Sequence, residues 1–184
     1  MTIYFKEFDV DNFDVIQSKL IPHVLSFAQN YTNTWNEIDV GPVLVAVPEL
    51  KSAIKSITGK LPTKCIVFAY PIEPLDVMDA KYGKYSLHQD GNRGFSQYRL
   101  NWPILNGTSI ETKFFSSSAE PKKLQLPTGQ TYLGYQEDEC VFETSNILTK
   151  PTIINVYAIH GLYRIGTVFP RIILSFDCGN DIKI

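Results

Sequence analysis

The residues best suited to chemistry lie in YSLHQDGNRGFSQYRLNWP, residues 85–103. His88 and Asp90 stand two apart, as do Arg99 and Asn101. Residues two apart on a β-strand point to the same face, so the imidazole of His88 and the carboxylate of Asp90 can reach one point in space. A second imidazole, His160, comes late in the chain at the end of the apolar run PTIINVYAI, and Gly161 follows it. Two imidazoles and one carboxylate on one face of an ion form the facial ligand set of a non-haem Fe(II) site, with further positions left open.

The His88/Asp90 pair alone is a weak signal. With ten aspartates and three histidines in 184 residues, chance sets an Asp two places after some His about 15% of the time. Neighbouring residues add weight. Gly91, Asn92 and Gly94 follow Asp90, so the pair ends a strand where a site can open. Arg171 comes eleven residues after His160 (171 − 160 = 11) and begins the run RIILSFD. Among isoleucines and a leucine its guanidinium must face solvent or pair with something anionic inside. A carboxylate ligand held in a bidentate fork would be such a partner. Plainer roles compete with these. A His closing a buried strand is more often a packed core residue than a ligand. Arg99 and Asn101 could be the solvated alternates of an apolar face made by Tyr98, Leu100, Trp102 and Ile104.

An HxD pair, a distal His and an Arg about ten residues later in an RxxLS-like strand together resemble the Fe(II)/2-oxoglutarate-dependent dioxygenase superfamily. The resemblance covers roughly residues 84–177. It implies a double-stranded β-helix, a form of jelly roll related to cupins. It implies that His88, Asp90 and His160 are the catalytic Fe(II) ligands, that 2-oxoglutarate and O2 are consumed, and that Arg171 binds the distal carboxylate of 2-oxoglutarate. Ser175 lies on the same strand face as Arg171 and joins the cosubstrate-binding candidates. The segment RLNWPI is similar to the aspartyl/asparaginyl β-hydroxylase and proline hydroxylase branch. There an Arg and a His two apart follow the HxD and contact the cosubstrate. The matching positions here are Arg99 and Asn101. Asn in place of His keeps a hydrogen-bond donor and gives up any ionisable role. The spacing from His160 to Arg171 is about one residue longer than the pattern of that superfamily.

The elements that must position these side chains are legible in outline. Phe13, Ile16, Leu20, Val24 and Phe27 fall three or four apart and predict a helix over 11–29, capped by Asp11 or Asn12 and kinked or split by Pro22. His23 beside that proline is taken as a surface or packing residue. VLVAV, 43–47, predicts a short strand. Pro48 to about Ile57 predicts a second helix, with Pro48 in its first turn, a stripe of Leu50, Ala53, Ile54 and Ile57, and Gly59 as C-terminal cap. CIVFAY, 65–70, predicts a buried strand that Pro71 and Pro74 terminate. Further strands are expected at 84–89, 97–105, 110–116, 140–145, 152–159, 163–168 and 170–177. Asn106-Gly107 is a hairpin signal between two of them. Residues 117–139, polar and broken by Pro and Gly, predict a long excursion over the surface, beside the site or over it as a lid. Asp76, Asp79, Glu137, Glu139, Lys122 and Lys123 are expected to be solvated.

Helices first and strands after suggest α+β, or a mainly β domain with flanking N-terminal helices. Seven or so short strands suit a jelly roll or a related barrel. The expected organisation is a single domain over 1–184, with 1–83 as buttress and 84–178 as β core carrying the 117–139 insertion. A chain of this length can bury a sizeable core. Hydrophobic residues make up 44% and charged residues 20%, which suits a globular chain, and a net charge of −2 argues against a nucleic-acid surface. Cys65, Cys140 and Cys178 are scattered and odd in number, so three buried thiols in a reducing, cytoplasmic setting are expected rather than disulfides or a zinc site. No signal peptide and no membrane span are expected. The expected activity is a 2-oxoglutarate-dependent oxygenase acting on a small molecule or a peptide side chain. The rivals are a non-catalytic cupin-like module that binds a metal or a carboxylate, and a structural jelly-roll protein.

Overall fold

The computed structural model describes residues 2–28, 35–70, 87–90, 96–125, 131–168, 170–180 and 182. The first stripe forms α1 (Phe13–Ala28), which runs through Pro22 without splitting. Ile16, Leu20 and Val24 are buried along it. Burying side chains of this size stabilises by about 1.5–3 kcal/mol each, enough together to offset the roughly 3 kcal/mol cost of an internal proline. Asn12, just before the helix, sits at φ 58°. The Phe27 side chain lies outside the described residues.

The expected strand at 43–47 is instead part of a helix, α2 (Val40–Ala46). Asp39 caps it, its side chain accepting the Gly41 N–H at 2.9 Å. Val43, Leu44 and Val47 are buried while Val45 is 82% exposed. A strand would have put Val43, Val45 and Val47 on one face, so one-sided burial with helical spacing overrode the β preference of valine. Next comes α3 (Pro48–Thr58), with Leu50, Ile54 and Thr58 buried. Gly59 closes it at φ 77°, donating its N–H to the Lys55 carbonyl at 2.9 Å, a left-handed cap that costs glycine nothing.

Two antiparallel six-stranded sheets make up the rest of the described chain, with strands numbered along the sequence. The first sheet runs in the order β1 (Phe5–Glu7), β10 (Thr152–Asn155), β5 (Tyr98–Leu105), β12 (Arg171–Asp177), β3 (Lys64–Tyr70) and β2 (Trp35–Ile38). The second runs β7 (Lys122–Gln125), β8 (Thr131–Tyr135), β4 (Leu87–Gln89), β11 (Ile159–Arg164), β6 (Ile110–Ser116) and β9 (Val141–Ile147). Among the described residues the protein is mainly β, with three α-helices. Among the described residues, no helix is long and apolar enough to cross a membrane.

The helices cover the outer face of the first sheet. Leu100, Trp102, Ile104, Ile172, Leu174, Phe176, Cys65 and Val67 pack there with Leu20, Val24, Leu50 and Ile54. Strand alternation then turns Arg99 and Asn101 of β5, and Arg171, Ile173, Ser175 and Asp177 of β12, to the inner face, toward the second sheet. So Arg99 and Asn101 are not solvated alternates. They face the interior. A smaller cluster joins the sheets, with Phe114 from β6 against Ile154 and Val156.

Several expected boundaries differ. The run at 152–159 is two strands, not one. β10 ends at Asn155 and β11 begins at Ile159, so His160 opens a strand rather than closing one, and β11 ends at Arg164 where a strand to 168 was expected. Asn106 and Gly107 do turn the chain, with Asn106 at φ 51°, but β5 and β6 lie in different sheets, so no hairpin forms. The 117–139 excursion does run along the surface, with most of its described residues exposed or half-buried, but it is more ordered than a loop. It carries the β7–β8 pair, and β8 extends the second sheet beside β4. The short edge strands β1 and β2 have no counterpart among the expected elements. Residues 84–86, Phe27's side chain, Pro71, Pro74, Asp76, Asp79, Gly91, Asn92 and Gly94 lie outside the described residues.

Candidate metal centre

β4 and β11 are neighbours, and His88 and His160 are directly opposed across them. Opposed residues share a face, so both imidazoles point inward. Gly161 lets the strands lie this close. A Cβ there would stand 2.7 Å from a Leu87 methyl carbon. The two rings have centroids 4.5 Å apart. Asp90 follows one turn of alternation after His88, with Oδ1 3.8 Å from His88 Nε2. One ligand atom from each of His88, Asp90 and His160 falls within 4.8 Å of the others. Two donors at right angles, about 2.1 Å from an ion, stand about 3 Å apart, so the three groups need to draw in only slightly to share one. His88 is 9% exposed and His160 7%.

The tautomer of His160 is fixed. Its Nδ1 lies 2.9 Å from the Ala158 carbonyl. A carbonyl can only accept, so Nδ1 carries the proton and Nε2 keeps a lone pair for a cation. Tyr132 of β8 meets the His88 ring edge-on at 6.2 Å, so the 117–139 segment supplies a wall of the site.

The inner face of the first sheet carries the other candidates. Arg99 is 3% exposed. Its Nε donates to Ser175 Oγ and one terminal nitrogen donates to the Ser175 carbonyl, both at 2.8 Å. Asp177 Oδ2 lies 3.7 Å from the other terminal nitrogen. Burial pulls the Arg99 pKa down, while Asp177 and Asp90 hold the charge on. Asp177 is raised by burial, but donation from Ser96 and Gly179 and the Arg99 charge outweigh that and leave its carboxyl below the ordinary range. Asn101 stands opposite Ser175, and its Oδ1 is buried without a hydrogen-bond partner.

Arg171 is in a different position. It is 2% exposed, opposite Tyr70, with its guanidinium carbon 5.5 Å from the centre of that ring. Its Nε has no hydrogen-bond partner, and among the described residues no carboxylate pairs with it. Burial pulls its pKa down, with Tyr70 acting the other way. A guanidinium still stays protonated under such conditions, so this is a desolvated cation.

Of the predicted site residues, the structure brings His88, Asp90 and His160 together and ties Arg99 to Ser175. It sets Asn101 beside Ser175 and leaves Arg171 at the other end of β12. The thiols are apart from this site. Cys65 and Cys178 are buried, the latter pushed up to about 11 first by burial, while Cys140 is only half-buried, not fully as expected. Sequence reasoning missed Tyr132 and the Ala158 carbonyl. A backbone acceptor leaves no side-chain signal. Asn155, a turn-forming residue inside a β-branched run, was the available cue that the strand breaks before His160. Comparison with known protein families and with curated proteins finds no match for this chain.

Proposed function

We propose that the protein is an Fe(II)/2-oxoglutarate-dependent oxygenase that hydroxylates a small molecule or a peptide side chain. The observation that carries this is the convergence of two imidazoles and one carboxylate on a single point, from strands distant in sequence. The donor set has the composition of a facial Fe(II) site, and the His160 tautomer suits it. The buried Arg171 fits the second requirement, a cation able to take a dicarboxylate's far end in a bidentate fork.

The strand succession supports a double-stranded β-helix. β3, β4, β5 and β6 alternate between the sheets, and so do β9, β10, β11 and β12. Each strand of the first run pairs with its counterpart counted from the far end: β3 with β12, β4 with β11, β5 with β10, β6 with β9. That is a long hairpin wound into a roll. The N-terminal helices and the β7–β8 pair are additions to it.

In this reading His88, Asp90 and His160 hold the ion, and Arg171 anchors 2-oxoglutarate. When bound, the ion, 2-oxoglutarate and O2 together supply the oxidising power for C–H hydroxylation, with succinate and CO2 released. The chain's own residues bind and orient these partners and keep water out. Arg99, Asn101 and Ser175 form the cosubstrate wall, with Arg99 braced by Asp177. The unpartnered Asn101 oxygen accepts from a bound water or from the substrate. Anaerobically purified protein given Fe(II), 2-oxoglutarate and then O2 should release succinate above a metal-free control. Absence of that release, with metal bound, would favour the non-catalytic module.

A further inference from the structure

The segment between β10 and β11 makes an unusual set of contacts with the candidate metal centre. Three consecutive carbonyls of it each receive a hydrogen bond, two from ligand residues of that centre and one from Gln89 between two of them. The Asp90 N–H donates to the Val156 carbonyl at 2.9 Å. The Gln89 side-chain amide donates to the Tyr157 carbonyl at 2.8 Å. His160 Nδ1 donates to the Ala158 carbonyl at 2.9 Å. So one turn fixes the backbone of the carboxylate ligand, the residue between the first two ligands, and the ring of the third.

The turn itself is held by Asn155. Its Oδ1 accepts the Tyr157 N–H at 3.1 Å, and its carbonyl accepts the Ala158 N–H at 3.3 Å. Its Nδ2 donates to the Ile3 carbonyl at 3.1 Å and its N–H to the Tyr4 carbonyl at 2.9 Å. Asn155 is buried and all its polar functions are used. Val156 N–H donates to Gln97, and the Val156 side chain packs with Phe114 and Ile154. Gln89 is clamped from the other side, where Tyr135 donates its hydroxyl to Gln89 Oε1 at 3.0 Å.

We propose that the turn at 155–158 is the positioning device of the metal centre, with Asn155 as its principal positioning residue and Gln89 as its second tie. Asn155 touches no ligand atom. It acts by holding three carbonyls at the spacing that sets the Asp90 backbone and the His160 ring plane. The N-terminal residues Ile3 and Tyr4 thereby brace a site far from them in sequence. This inference rests on the metal-centre reading.

The test uses the full chain and Co(II) alone as probe, with binding followed by the visible d–d band and folding followed by circular dichroism. Wild type should bind one Co(II), and His88→Ala should not. Asn155→Ala should weaken Co(II) binding by about 10–100-fold, the range typical for groups that orient metal ligands, and should change the band's shape or intensity. Gln89→Met should act in the same direction with a smaller loss. A purely structural role would lower thermal stability and leave both affinity and band of the folded variant unchanged, and that result overturns the inference. Should Asn155→Ala fail to fold, Gln89→Met decides alone, since it removes only two side-chain bonds. Wild type that binds no Co(II), or His88→Ala that binds it as well as wild type, overturns the metal centre itself and this inference with it.

Discussion

β12 carries two buried arginine problems, one at each end, and they are handled differently. At the Asp177 end, Arg99 reaches across from β5 to the Ser175 hydroxyl, the Ser175 carbonyl and the Asp177 carboxylate. At the other end, Arg171 lies over Tyr70 with Nε unpartnered and no carboxylate among the described residues to balance it. An isolated buried cation costs several kcal/mol, so a fold that keeps one must gain elsewhere. The contrast separates a guanidinium that braces two strands from one that, under the proposed function, would take an incoming anion.

Removing Arg99 should have the largest effect. Arg99→Met strands Asp177 in the interior, and breaking a buried pair in this way destabilises by about 3–5 kcal/mol. Urea unfolding should show a lower midpoint with an unchanged slope. Arg171→Met should do the opposite in the absence of ligand, leaving stability unchanged or raising it by about 1 kcal/mol or more, because a desolvated charge is exchanged for an apolar side chain of similar length. The same variant should lose most 2-oxoglutarate affinity while keeping metal affinity. Equal destabilisation by both substitutions would erase the distinction between the two ends.

A subtler expectation concerns pH. The Asp177 carboxyl is lower in the folded chain than its unfolded value of about 3.9, so its contribution is complete above that pH and is lost as pH falls through the folded value. The unfolding midpoint should fall in that acid range, and Asp177→Asn should flatten that limb. No matching limb is expected from Arg171. The smallest effect is expected at the surface pair Lys19–Glu49, where Lys19→Ala should leave thermal stability unchanged within error, since both groups are exposed.

The legible parts of the fold were those whose signals are local. Pro48 and Gly59 bracket α3 and mark its ends within the sequence itself. β12 is recognisable from Ile172, Ile173, Leu174 and Phe176 in a row broken only by Ser175. α2 was not, because VLVAV satisfies a strand by composition and only the burial of Val43, Leu44 and Val47 on one side decides otherwise. The break between β10 and β11 was hidden for a related reason. It depends on Asn155 bonding Ile3, 152 residues away. In the site, the pairing of His88 with Asp90 followed from alternation, whereas the tie between Arg99 and Ser175 spans 76 residues and has no local trace. His160 was identifiable by type, but its place at the start of a strand opposite His88 was not.

The proposed function stands or falls on whether His88, Asp90 and His160 bind Fe(II) and Arg171 binds 2-oxoglutarate. Anaerobic titration of fresh protein with Fe(II) and then 2-oxoglutarate tests it most directly. A weak visible metal-to-ligand charge-transfer band should grow to one equivalent, vanish in His88→Ala, and require far more 2-oxoglutarate in Arg171→Met. No band in the wild type, or an equal band in His88→Ala, would contradict it.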